Sequence, residues 1–304
     1  MTRRTLFTLI ALASGLALVS YWIGQQSYSW MPVQASAEAI LVDNLFSFMV
    51  AIASFIVLGV TGTLLYSVLF QRASRYDISD GPALEGNLKL EIVWTAIPLV
   101  LVVWIGTYSY QTYNRMSILG SGGSLHVGMP TAMANEIGAS PEASAPIEVR
   151  SRQWAWEFYY PDRDVTSTEL HLPVNQRAQL QLTSEDVLHG FYVPAFRVKQ
   201  DIIPGRAIAF EFTPIREGRY RLRDSEYSGT YFATNQTHVV VESLKSYQQW
   251  LAAAAAQPLT PAENVAYQEF KAAIEKPMSL GWSRIVPAAA PLANYSSSES
   301  DSHE

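Results

Sequence analysis

Residues 45–70 read LFSFMVAIASFIVLGVTGTLLYSVLF, and residues 92–113 read IVWTAIPLVLVVWIGTYSYQTY. Neither stretch holds an Asp, Glu, Lys or Arg. About 20 apolar residues in helical form cross the hydrocarbon of a bilayer. Inside hydrocarbon every backbone N–H and C=O must be bonded within its own segment, so a span of this kind is a helix. A core helix of a soluble protein keeps a polar stripe over such a length, and these runs have none. The pair predicts a transmembrane helical hairpin over residues 40–115, with Pro98 set to kink its second helix. Trp94, Trp104 and Tyr108 suit interfacial or helix-face positions.

Upstream, Thr5 to Trp30 carries no charge and follows Arg3 and Arg4. A basic start before an apolar run reads either as a secretory leader or as a membrane helix, and residues 1–30 admit both. The basic residues then orient the chain. Residues 5–71 contain no Lys or Arg, the loop 72–91 holds Arg72, Arg75 and Lys89, and after it only Arg115 precedes Arg150. Positive charge stays on the cytoplasmic side, so the 72–91 loop is cytoplasmic and everything after about residue 114 lies outside.

Composition agrees. The 304 residues are 49% hydrophobic and 16% charged, against roughly 25% charged in soluble chains. The net charge of −6, from 21 Lys and Arg against 27 Asp and Glu, offers no basic face and excludes nucleic acid as the main partner. There is no cysteine, which removes disulfides, thiolate metal sites, iron–sulfur clusters and thiol nucleophiles together. The five histidines, His126, His171, His189, His238 and His303, include no pair three to five residues apart, so a structural zinc site is not expected.

Residues 116–146 are rich in Gly, Ser, Ala and Pro and read as a linker. From residue 147 the period changes to two. Ile147–Arg150, Glu169–Pro173, Ala178–Thr183, Ala207–Thr213 and His238–Glu242 alternate apolar with polar, punctuated by Pro, Gly and Asn. That pattern predicts an all-β sandwich over 147–243. Residues 244–275 return to a helical pattern, with Tyr247, Trp250 and Leu251 on one face. The tail beyond 286, within the segment 244–304, has the Ala, Pro and Ser content of disorder.

The motifs then carry a resemblance. Leu90-Glu91-Ile92-Val93-Trp94-Thr95-Ala96-Ile97-Pro98 resembles the start of the second helix of subunit II in haem–copper terminal oxidases. Gln153-Trp154-Ala155-Trp156-Glu157-Phe158 is similar to that family's Trp-rich strand. Val187-Leu188-His189-Gly190-Phe191, Val193-Pro194, Arg197-Val198-Lys199 and Asp201 through Gly205 resemble its central signature. Taken singly, each is an ordinary core, loop or turn feature; their joint order over residues 38–255 makes the likeness specific. It implies a membrane α plus all-β chain whose exterior domain is a cupredoxin-like Greek-key sandwich. It also implies a bacterial inner-membrane location with that domain on the periplasmic side. The partners implied are the lipid bilayer, subunit III, and a subunit I holding the haems and a mononuclear copper.

In the cytochrome c branch of the family this subunit carries the dinuclear copper A centre, bound through two bridging thiolates, two histidines, a methionine and a backbone carbonyl. The matching stretch here is Asp224-Ser225-Glu226-Tyr227-Ser228-Gly229-Thr230-Tyr231-Phe232-Ala233-Thr234-Asn235. Glu226 and Gly229 keep the register. Asp224 and Ser228 stand where the bridging cysteines would be, Phe232 where the second histidine would be, and Asn235 where the methionine would be. Only His189 survives among the side-chain ligands. Soft thiolates are what hold a copper pair, and a chain without cysteine cannot supply them, so copper A is expected to be absent. His189 is then expected to hold a loop hydrogen bond. Ala155 also departs from the family, which usually has an aromatic between the two tryptophans of the patch Trp154 and Trp156.

Two carboxylates remain of interest. The resemblance implies that Glu91 marks the entrance of a proton-uptake path, while a carboxylate near a helix start is also favoured by the helix dipole. It implies that the Glu226 carboxylate reaches a magnesium ion at the border with subunit I, with Asp224 nearby as a further oxygen donor; a solvated or ion-paired glutamate is the plainer reading. Three functions follow. The first is subunit II of a proton-translocating oxidase that takes electrons from membrane quinol through subunit I, with no catalytic residue in this chain. The second is a degenerate cytochrome c oxidase subunit whose donor reaches subunit I directly. The third is a membrane-anchored cupredoxin-like binding protein that is not part of an oxidase.

Overall fold

The computed structural model describes residues 3–72, 86–118 and 145–275. Most of the expected linker, the expected disordered tail, and Arg75 in the expected cytoplasmic loop lie outside the described residues. The chain divides into two compact units, one of Met1–Met31 with Leu41–Tyr113, the other of Pro32–Ile40 with Asn114–Glu304.

The first unit is helical. Helices α1 (Arg3–Gln26), α2 (Ala37–Phe70) and α3 (Leu88–Met116) are each long and apolar enough to cross a membrane. Among the described residues there are therefore three candidate spans, where the hairpin reading counted two and left the first segment open. The packing of α1 shows what the apolar pattern alone could not. A Cβ on Gly24 would fall 2.8 Å from the Ser47 carbonyl oxygen and 2.9 Å from the Ala51 Cβ. The Ser47 hydroxyl donates to the Gly24 carbonyl at 2.8 Å, and the Tyr28 hydroxyl donates to Asn44 Oδ1 at 2.8 Å. Small residues that let backbones approach, helped by a hydrogen bond between helices, form the usual seam between membrane helices. Between α2 and α3 the contact is aromatic, with Phe48 edge-on to Trp104 at 5.2 Å and to Tyr108 at 5.3 Å. Asn87 Oδ1 accepts the Leu90 N–H at 3.3 Å and caps α3.

The second unit is built from β1 (Ile147–Arg152), β2 (Ala155–Tyr160), β3 (Val165–Ser167), β4 (Leu170–Pro173), β5 (Ala178–Ser184), β6 (His189–Val193), β7 (Val198–Ile202), β8 (Ile208–Phe212), β9 (Gly218–Asp224) and β10 (Gln236–Glu242), followed by α4 (Leu244–Ala255) and α5 (Val265–Glu275). One sheet has the order β3-β2-β1-β5-β8, the other β4-β10-β9-β6-β7. Pairs β1/β5 and β4/β10 are parallel and the remaining pairs antiparallel. Strict alternation places Leu180 and Leu182 of β5, Trp156 and Phe158 of β2, and Val239 and Val241 of β10 in a common core. Its centre is aromatic: Phe191 lies 5.6 Å from Phe210 and 6.1 Å from Trp156. Burying side chains of this size stabilises by roughly 1.5–3 kcal/mol each, which holds the ends of β6 and β9 in register.

Strand β9 is absent from the alternating runs read in the sequence, because only Leu222 and Asp224 of its seven residues are buried. Helix α4 is capped by the Ser243 hydroxyl, which accepts the Ser246 N–H at 3.2 Å, and it docks through Trp250 stacked on His171 at 3.8 Å. Segment Pro32–Ile40 also belongs to this unit. The Glu38 carboxylate accepts the Thr213 N–H at 3.1 and 3.2 Å and faces Arg177, which donates to Glu211 at 2.8 Å and to the Ser117 carbonyl at 2.7 Å.

Candidate functional site

The signature residues His189 to Ile202 form the hairpin β6–β7, turned by Pro194–Phe196 with Arg197 at a φ of 57°. That hairpin pairs with the end of β9 through Phe191 and Asp224. Gly190 is required at this junction, since a Cβ there would lie 2.1 Å from the Ser225 hydroxyl. His189 and Asp224 are thereby brought face to face from opposite strand ends.

The His189 ring is fully buried, with Nδ1 2.6 Å from Asp224 Oδ2 and Nε2 2.9 Å from Asp186 Oδ1. Two carboxylates accept from the two ring nitrogens, so both nitrogens donate and the ring is an imidazolium. Burial draws the His189 pKa down, but the hydrogen bonds to Asp224 and Asp186 outweigh it and hold the group above the ordinary imidazole value. Asp224 is saturated as well. Its Oδ2 accepts from the Ser228 hydroxyl at 2.8 Å and from Asn235 Nδ2 at 3.2 Å, and its Oδ1 accepts the N–H groups of Gly190 at 2.7 Å and Glu226 at 3.0 Å. Burial pushes its pKa up, and the bonds from His189, Gly190, Glu226 and Ser228 more than reverse this, leaving it below the ordinary carboxylate value.

Of the positions singled out in the sequence, His189, Asp224, Ser228 and Asn235 thus meet in one hydrogen-bonded cluster. Glu226 joins it only by its backbone; its carboxylate turns to Lys199, at 2.7 Å. Phe232 packs on Tyr227 with ring centroids 5.2 Å apart. The tryptophans clamp the loop from outside the cluster. Trp154 Nε1 donates to the Ser228 carbonyl at 3.1 Å and Trp156 Nε1 to the Asn235 carbonyl at 3.2 Å. Glu91 lies apart, in the first turn of α3 in the other unit.

Two contacts went unnoticed in the sequence. Asp186 supplies the second carboxylate on His189, and Gln153 Nε2 donates to the Ser228 carbonyl at 2.7 Å. Asp186 stands three residues before His189, a spacing open to inspection; Gln153 left no signal, because its partner is 75 residues away.

The donor set can be tested against a dinuclear copper centre. It offers hard carboxylate, hydroxyl and amide oxygens and an imidazole with both nitrogens engaged. It offers no thiolate, and the chain contains none to recruit. These residues do not fit a thiolate-bridged copper pair.

Comparison with known proteins gives a consistent likeness. Residues 20–112 match the family described as "Cytochrome C oxidase subunit II, transmembrane domain", and residues 164–244 match "Cytochrome C oxidase subunit II, periplasmic domain". The chain is 35% identical over 269 residues to "Cytochrome c oxidase subunit 2" of Synechocystis sp., covering 80% of this chain and 81% of that one. It is 36% identical over 267 residues to the protein of the same name from Thermostichus vulcanus, covering 77% and 81%. It is 29% identical over 258 residues to that of Cereibacter sphaeroides, covering 71% and 77%.

Proposed function

Because this chain belongs to the subunit II family of haem–copper oxidases, we propose that it serves a quinol-oxidising member of that family and carries no copper A centre. Membership makes it a subunit of a membrane oxidoreductase whose catalytic centre is in subunit I, with the C-terminal domain on the periplasmic side. It also sets aside the third reading, a binding protein outside any oxidase. One observation carries the absent centre: where the family would place copper ligands, His189, Asp224, Ser228 and Asn235 are joined to one another by hydrogen bonds. A domain without its redox centre is scaffold, and electrons from membrane quinol would enter at subunit I without crossing it.

The names of the relatives favour a second reading, a cytochrome c oxidase subunit II that has lost its centre, with electrons passed directly to subunit I. Both readings make the same statement about metal in this chain and differ in the donor. Glu91 is proposed as the entrance of a proton-uptake path, supported by its place in the first turn of α3. Glu226 is the residue through which a magnesium ion at the subunit I border would be held. Lys199 already neutralises its carboxylate, which favours the ion pair. Subunit III is proposed as a further partner on the same family grounds.

Metal analysis of the purified complex tests the site. The expected result is no copper beyond the mononuclear copper of subunit I and no thiolate-to-copper absorption. Two further copper ions per copy of this chain, retained through dialysis, would contradict the reading.

A further inference from the structure

After α4 the chain turns back to the sandwich. Asn264 Nδ2 donates to the Gln153 carbonyl at 3.0 Å, while its Oδ1 accepts the Tyr267 N–H at 3.0 Å and caps α5. One turn apart on the same face of α5, Ala266 is fully buried and Phe270 lies edge-on to Trp154 at 5.2 Å. Phe270 also meets Tyr231 at 6.3 Å, and Tyr231 is itself edge-on to Trp154 at 5.1 Å. Beneath this segment a cavity of about 630 Å³ remains, with Trp154, Ala155 and Trp156 on one side and Leu259, Pro261 and Tyr267 on the other.

This attachment differs in kind from that of α4. Trp250 of α4 is a core residue, 9% exposed, stacked on His171 and edge-on to Tyr160. The 11 described residues of helix α5 rely on tertiary packing for much of their helical stability. Among the described residues the helix is held to the sheets by Phe270, Ala266 and Asn264, beside space that is not filled. What lies beneath has consequence for the site: Trp154 and Gln153, the two residues under the segment, both hold the Ser228 carbonyl.

We propose that Leu259–Glu275 is a displaceable strap. Closed, it covers the Trp154–Tyr231 face and one side of the cavity, and it braces the 224–235 loop through Trp154. Open, it exposes both rings and frees the 224–235 loop from that brace. Opening melts α5 and leaves α4 and both sheets in place.

Hydrogen exchange on the assembled complex tests this without altering the closed state. The amides of α5 should be protected relative to free peptide, yet exchange on the order of a hundredfold faster than those of α4 and β10, the mark of a local opening. Phe270→Ala, and separately Asn264→Ala, should remove the α5 protection and speed exchange in the 224–235 loop, with α4 and β10 unchanged. Three results would overturn the strap: α5 amides as slow as β10, α5 amides as fast as free peptide in the unmodified complex, or α5 exchange that neither substitution alters.

Discussion

The His189 ring and the Asp224 carboxylate meet at 2.6 Å with neither side chain exposed, and Asp224 also accepts from Gly190 of β6 and from Glu226, Ser228 and Asn235 of the loop it anchors. An ion pair buried in this way is bought by its additional hydrogen bonds, since desolvation alone would cancel most of the attraction. The pair ties β6 to β9 where the resemblance places copper ligands.

That pairing sets a pH window. His189 is held above its ordinary value of about 6.5, so its contribution is fully present below that pH and is lost as pH rises through the higher folded value. Asp224 is held below its ordinary value of about 3.9, so its contribution is present above that pH and is lost as pH falls through the lower folded value. Thermal unfolding of the complex, compared between wild type and His189→Gln, should show a stability gap that is flat between these limits and closes on the alkaline side. A gap that stays constant to pH 9 would mean that the ring is not held as an imidazolium.

Removing one partner should cost more than the pair contributes. Asp224→Ala leaves a buried imidazolium with one carboxylate and takes the acceptor from the Gly190 and Glu226 N–H groups, Asn235 Nδ2 and the Ser228 hydroxyl, and destabilisation of about 3–5 kcal/mol is expected. Trp154→Phe removes a single hydrogen bond to the Ser228 carbonyl and should cost about 0.5–1.5 kcal/mol. Denaturant titration of the two variants checks the order, and equal losses would contradict it.

The loop can be asked to take metal. Asp224→Cys with Ser228→Cys, Phe232→His and Asn235→Met restores two thiolates, a second imidazole and a thioether around His189. Copper uptake with intense thiolate-to-copper absorption is expected. A folded variant that takes up no copper would show that the strand ends no longer have the required spacing.

Glu91 separates two roles. As a proton entrance its replacement by Ala should slow oxygen turnover with haem content unchanged, because loss of a helix-start charge costs only about 0.3–1 kcal/mol. Normal turnover per haem with a reduced yield of complex would assign Glu91 to helix stability alone.

The first helix makes its own prediction. Gly24 lies in the seam with Ser47 and Ala51, whereas a Cβ on Gly15 of the same helix would meet nothing within 4 Å. Gly24→Leu should overpack the seam, at about 1–3 kcal/mol, and lower the yield of assembled chain; Gly15→Leu should not. Equal yields would contradict the packing of α1 on α2.

The membrane segments were legible because hydrocarbon imposes length and polarity limits that a sequence cannot hide. The outer strands were legible where alternation is strict, as in β5 and β10. Strand β9 was not, because three arginines and a glycine mask its two buried positions. The cluster was half legible. Matching motifs located His189, Asp224, Ser228 and Asn235, but that they bond to one another follows from the register of β6 on β9, which composition does not encode. Helix α5 read as part of a helical stretch, and its docking through Phe270 depends on a partner more than 100 residues earlier.

Oxygen consumption by the purified complex, supplied in turn with a membrane quinol and with reduced cytochrome c, measures the central claim. Quinol should sustain turnover and reduced cytochrome c should give none. Turnover with reduced cytochrome c and none with quinol would contradict it.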